Sequence, residues 1–194
     1  EQVAEHVDLA AVLAVAHSAP PLDVEPWDPA LEVHPPSAAR PRVAVAAGRA
    51  FTFRYAETEE LLRAAGCEPV EIDPLVDTAL PEGTSGLYLG GGFPEVHATE
   101  LSANAALRQS IADAVAAGLP TVAECAGLLY LCRSVDGVPM VGALDAEAVM
   151  TPKLTLRYQA LVAPEDGLLG PAGTRATGHE FHRTTVTPER GGSV

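Results

Sequence analysis

Basic side chains are scarce in this chain. Lysine and arginine total 12 against 26 aspartates and glutamates, which leaves a formal net charge of −14. A chain this acidic offers no basic face to a phosphate backbone, so nucleic acid is excluded as a partner. The acidity serves solubility and carries no information about fold. Long apolar runs are also missing, and the chain opens on no signal-peptide pattern, so no membrane association is expected. Cysteine is sparse: Cys67, Cys125 and Cys132 are odd in number and form no CxxC pair. Neither a disulfide framework nor a zinc ribbon is indicated. Free thiols suit a reducing compartment, and a cytoplasmic protein is expected. The first residue is Glu1 rather than methionine, inside what reads as a structured segment, which predicts a piece of a longer polypeptide.

What is present suits a globular α/β domain. The 194 residues are 47% hydrophobic and 20% charged, enough for one domain with a sizeable core. Glycine and proline number 17 each, so turns are frequent. Residues 1–20 place apolar side chains at helical spacing, with Asp8 as N-cap of a helix through Leu13 and Val15. Residues 20–41 are proline-rich and irregular and read as an interdomain linker. From Arg42 onward, apolar strands at 43–46, 69–72, 86–89 and 121–124 alternate with helices at 57–65 and 104–117, stopped by Gly66 and Gly118. Beyond residue 138 come short β-type runs at 138–141, 148–150 and 154–162, and a last strand approaches 178–182. Alternation of this kind predicts a mostly parallel open sheet with flanking helices, of the flavodoxin-like type. Sites in such sheets form outside the carboxyl ends of the strands.

Two segments end there. One is Thr121-Val122-Ala123-Glu124-Cys125-Ala126-Gly127-Leu128. It reads as a strand, a sharp turn at a cysteine between small residues, and an apolar helix. A thiol at that corner lies at the positive end of the helix, which favours thiolate. The arrangement parallels the serine nucleophile elbow. The alternative is a buried structural cysteine. The other segment is Gly90-Gly91-Gly92-Phe93-Pro94-Glu95. It is either a tight turn needing positive φ or a loop whose N–H groups approach a ligand, such as the oxyanion of an acyl-transfer intermediate. Ala126, just after the cysteine, offers a second N–H. The loop lacks the Gly-Lys-Ser/Thr of a phosphate-binding P-loop.

A nucleophilic cysteine needs a base. Of the six histidines, His6, His17 and His34 fall in the first segment and linker, and His97 follows the glycine loop. His179 and His182 close the last strand. Their spacing suggests metal only on a helix and no third ligand is evident, so no metal is expected.

Taken together, LYLGGGFPE at 87–95, AECAGLLYL at 123–131 and GHEFH at 178–182 resemble the glutamine amidotransferase domain of the cobyrinic (or hydrogenobyrinic) acid a,c-diamide synthase family. AFTFRYAET at 50–58, LSANAALRQSI at 101–111 and MTPKLTLRY at 150–158 extend the resemblance over roughly 41–188. HVDLAAVLAVAHSAPPL resembles the end of that family's ATP-binding domain and its linker. The resemblance therefore implies three parts. Residues 1–40 are the end of a preceding domain plus linker, 41–188 are a class I glutamine amidotransferase domain, and 189–194 are a tail. It implies a glutaminase in which Cys125 attacks the glutamine amide, forms a thioester and releases ammonia. The ammonia serves amidation of corrin a and c carboxylates by an N-terminal synthetase domain that uses ATP and Mg. No cofactor is expected within these residues themselves.

By motif, His182 is implied as the base, with His179 its neighbour and Glu180 a possible support. Gly91, Gly92 and Ala126 are implied as oxyanion donors. Relatives often carry an orienting acid two residues after the histidine; here that position is Thr184, so a dyad is implied. Ala126, Gly48, Thr58 and Arg157 stand where the family usually has Gly, Asp, Asn and Gly. Two other functions compete: a cysteine hydrolase of the DJ-1 or intracellular-peptidase kind, which would use Glu124, and a non-catalytic partner domain.

Overall fold

The computed structural model describes residues 2–33 and 39–188. The expected tail at 189–194, His34 and the middle of the expected linker lie outside them. A short helix α1 (Gln2–His6) precedes α2 (Leu9–His17). Asp8 opens α2 as its residue type predicts: its carboxylate accepts the Ala11 N–H at 3.0 Å. No residue of α2 is buried. Among its described residues, the proline-rich stretch forms only a single 3-10 turn, Pro29–Leu31.

The alternating pattern then builds β1 (Arg42–Ala46), α3 (Ala56–Ala64), β2 (Glu68–Ile72), β3 (Thr84–Leu89), α4 (Ala98–Ala103), α5 (Ala105–Ala116), β4 (Thr121–Ala123) and α6 (Ala126–Leu131). The strands form a sheet in the order β2-β1-β3-β4, and every pair in it is parallel. Gly66 and Gly118 end α3 and α5 at φ +80° and +90°, a conformation that excludes most side chains. Helix α4 was not expected. Asn104 closes it and also caps α5, accepting the Leu107 N–H at 3.3 Å. Its Nδ2 donates to the Pro74 and Asp77 carbonyls at 2.9 and 2.7 Å. The short runs after residue 133 become β5 (Ser134–Val135), β6 (Val138–Pro139), β7 (Glu147–Val162) and β8 (Arg175–Thr187). These make a second sheet, β6-β5-β7-β8. The runs at 148–150 and 154–162 prove to be one strand, irregular between Met150 and Thr155. The break falls at Pro152, which has no N–H for a ladder.

The core lies under the parallel sheet. Leu87 and Leu89 from β3, Leu107 and Ile111 from α5, and Tyr130 from α6 are buried together. Phe51 meets Tyr130 edge to face, ring centroids 5.6 Å apart. The Tyr130 hydroxyl is buried without a hydrogen-bond partner. Burial pushes its pKa up to about 12, against a smaller lowering by Arg108. A raised pKa means that the folded state holds the proton where the unfolded chain has lost it. The stability this gives is complete below pH ~10 and is lost as pH rises toward 12. Tyr130→Phe removes the unpaired hydroxyl and keeps the ring. It is expected to stabilise the fold at neutral pH by about 1 kcal/mol and to flatten the alkaline loss, both read from denaturant melts across pH.

Candidate active site

Cys125 occupies the corner between β4 and α6. Its backbone sits at φ +50° and ψ −112°, a region where an L-residue carries strain of about 1–3 kcal/mol. The thiol is solvent-exposed, whereas Cys67 is half-buried and Cys132 is buried. The Cys132 Sγ donates to the Leu128 carbonyl at 3.3 Å, and burial pushes that thiol's pKa up. Only Cys125 combines access with a strained strand-to-helix turn.

The close packing of α6 on the sheet explains the small residues around the cysteine. Gly127 donates to the Gly90 carbonyl at 3.0 Å and the Glu124 carbonyl at 2.8 Å. A Cβ at Gly127 would lie 2.2 Å from the Leu89 carbonyl oxygen. Ala126 is fully buried. As the first residue of α6, its N–H has no intrahelical acceptor. The substitution of alanine for glycine at 126 therefore leaves an N–H at the position expected of an oxyanion donor.

The glycine loop follows neither of its two expected readings completely. None of Gly90, Gly91 and Gly92 has positive φ, so the turn requirement is not the reason for glycine. Close approach is the reason. A Cβ on Gly92 would lie 2.1 Å from the Ala50 carbonyl oxygen, and one on Gly91 would lie 3.0 Å from the Phe53 Cβ. The loop is stitched to the segment after β1 by Phe53 N–H to Gly91 O (3.1 Å) and Phe93 N–H to Ala50 O (3.0 Å). Gly91 lines a cleft; Gly92 is packed beneath it.

That cleft has a volume of about 370 Å³ and is lined by Phe53, Tyr55, Gly91, Glu124, Cys125, His179 and Phe181. The size suits a small organic ligand. It opens where the carboxyl ends of β1, β3 and β4 meet, the position favoured for ligands in parallel sheets. The histidine on it is His179, not His182. Strand alternation places His179 and Phe181 on one face of β8 and Glu180, His182 and Thr184 on the other. Two histidines on opposite faces of a strand do not converge on one ion. Among the described residues, no group of three or more His, Cys, Asp and Glu side chains is placed to hold a metal.

His182 is nonetheless the anchored ring. Its Nδ1 lies 3.0 Å from the Thr184 carbonyl oxygen. With the proton on Nδ1, the ring donates to that carbonyl and Nε2 keeps its lone pair; in the other tautomer Nδ1 accepts the Thr184 N–H at 3.4 Å. The position that lacks an acidic side chain thus supplies a backbone acceptor. Glu180 is not the orienter of either ring. Its carboxylate accepts from Arg157, directly opposite on β7, and from Gln159 Nε2 at 3.2 Å. The Arg157 guanidinium holds the Glu180 carboxyl below the usual carboxylate range. His97 stands apart from the cleft at the start of α4, with Nδ1 2.9 Å from Glu100 Oε2.

Two departures from the family pattern acquire physical meaning. A Cβ on Gly48, at φ +82°, would sit 2.4 Å from the Asp73 carboxylate, so an aspartate at 48 and Asp73 as placed here are incompatible. Arg157 is the cation that pairs Glu180. Sequence reasoning also passed over Phe53, Tyr55 and Phe181 as cleft residues; the fold brings them to the cleft from two separate segments, and all three lay within quoted motifs.

A family model described as CobB/CobQ-like glutamine amidotransferase domain matches residues 42–193. The hydrogenobyrinate a,c-diamide synthase of Thermobifida fusca (strain YX) is 61% identical over 194 residues, covering 96% of this chain and 41% of that protein. The protein of the same name from Streptomyces coelicolor is 50% identical over 219 residues, covering 98% of this chain and 45% of that protein. The chain thus spans less than half the length of these relatives. The solved structure of PurLQS from Thermotoga maritima superposes with a TM-score of 0.55 at 17% identity, over 75% of this chain and 68% of that one. At that identity the likeness shows the fold alone.

Proposed function

Because the chain belongs to the CobB/CobQ-like glutamine amidotransferase domain family, we propose that it hydrolyses glutamine through a thioester on Cys125 and supplies ammonia for amidation of the a and c carboxylates of a corrin precursor. The observation that carries the proposal is the exposed Cys125 thiol, on a strained corner, facing a cleft with a glycine edge. The thiolate attacks the side-chain amide carbon, and the tetrahedral oxyanion is met by the Ala126 N–H and the glycine loop. Ammonia leaves with a proton from an imidazole, and water then cleaves the thioester to glutamate. The names of the two relatives favour hydrogenobyrinate as the corrinoid. ATP and Mg belong, in this proposal, to a synthetase domain elsewhere in the cytoplasmic polypeptide. Residues 41–188 form the amidotransferase unit, and the segment before them leads out of the synthetase domain.

His182 is the base in this proposal. A general base works best when its orientation is set, and the Thr184 backbone holds the His182 ring at Nδ1. Its use requires β8 to present that face to the thiol. A second reading makes His179 the base, favoured by its place on the cleft wall. A glutamine-mimicking chloroketone tests both. Mass mapping is expected to find the label on Cys125, with Cys67 and Cys132 unmodified; label on those two with none on Cys125 sinks the glutaminase reading. His182→Asn is expected to slow labelling about 10²-fold or more, and His179→Asn far less. The opposite order selects His179.

A further inference from the structure

Among the described residues Glu124 is the one anionic side chain on the cleft, and it immediately precedes the nucleophile. Its carboxylate is held from behind: the Tyr88 hydroxyl donates to Glu124 Oε1 at 3.1 Å. The sheet register explains the contact. Tyr88 pairs with Val122 across β3 and β4, and alternation returns Glu124 to the same face two residues on. Two separate motif segments meet in this contact, β3 and the β4–α6 corner. Burial first, and the Glu124 charge next, push the Tyr88 pKa up, so Tyr88 stays a donor at neutral pH.

Tyr88 occupies one carboxylate oxygen of Glu124 and leaves the other toward the cleft, where Glu124 is exposed. The remaining cleft residues are aromatic rings, a glycine, a thiol and His179. An acid placed there serves a cation on the ligand. Extended glutamine carries its α-nitrogen about 5 Å from its amide carbon by bond lengths alone, the scale on which side chains of consecutive residues stand apart. Resting on the glutaminase reading above, we propose that Glu124 binds the α-ammonium group of glutamine, with Tyr88 as the positioning residue that aims its carboxylate. This assigns substrate discrimination to the residue beside the nucleophile. A γ-amide without an α-ammonium would find the thiol but not its anchor.

The test compares glutamine with glutaramate, which keeps the amide, the chain and the carboxylate but lacks the α-ammonium group. In the full chain, Glu124→Gln is expected to raise KM for glutamine about 10–100-fold, the range of one hydrogen bond to a charged group, with kcat changed far less. The preference of the wild-type protein for glutamine over glutaramate should shrink by the same factor. Tyr88→Phe should move KM in the same direction by a smaller factor, and Glu124→Asp should restore part of the preference. A merely structural role for Glu124 would depress kcat/KM equally on both substrates, which overturns the assignment. An unchanged KM in Glu124→Gln beside an active wild type overturns it as well. A wild type that releases ammonia from neither amide overturns the glutaminase reading itself, and this assignment with it.

Discussion

Replacement of Cys125 with alanine is expected to abolish glutamine hydrolysis, by at least about 10³-fold, while the protein stays folded. The size of the loss follows from the chemistry. No other thiol can substitute: Cys132 is buried and its pKa is pushed up, and Cys67 does not line the cleft. Folding should hardly notice the change. The Cys125 side chain is exposed, and alanine at φ +50° meets the same backbone strain as cysteine, so the stability change should stay within about 0.5 kcal/mol. Glutamate release and a thermal melt on the same sample separate the two effects. Residual glutaminase near the wild-type level would remove Cys125 from the mechanism, and the partner-domain reading would then gain.

The second large effect is expected at Gly127. Gly127→Ala places a methyl group 2.2 Å from the Leu89 carbonyl oxygen and 2.6 Å from the Leu89 Cβ. Leu89 ends a central strand and is completely buried, so it cannot retreat. Helix α6 must lift instead, and Cys125 moves with it. Overpacking against backbone of this kind is expected to cost about 3 kcal/mol. For a chain of this size that lowers Tm by roughly 6–12 °C. Activity should fall further than stability explains, since a displacement of about 1 Å at a reacting group costs about 10²-fold. Gly178→Ala is the control: nothing lies within 4 Å of its added Cβ, and its melt should match wild type within about 0.5 kcal/mol. An unchanged melt for Gly127→Ala would refute the close packing of α6 on β3.

Much of this was legible from residue order. The strand-turn-helix corner at Cys125 could be read from a short apolar run followed by small residues, because turn sterics act over a few neighbours. Asp8 and Asn104 announced helix starts for the same reason: a side-chain cap reaches an N–H only three residues away. The parallel sheet followed from alternation of strands and helices. The glycine loop was found but misread in part, because positive φ is a local property and close approach is not; the Ala50 carbonyl that excludes a side chain at Gly92 is distant in sequence. The single long strand β7 was read as two because Pro152 interrupts its donors, and only pairing with β8 joins the halves.

The residue types needed for thiol chemistry, their motifs and the strand ends that carry them were determined by the amino-acid order, through period, turn sterics and capping. Which faces meet was decided by tertiary structure. Alternation alone separates His179 from His182 but does not say which one lines the cleft; the docking of β8 puts His179 there. Likewise Glu124 and Tyr88 stand 36 residues apart, and only the register of β3 on β4 makes them partners. Local rules act over a turn or a strand, whereas a site of this kind is closed by pairings whose registers are set by the burial of the whole sheet.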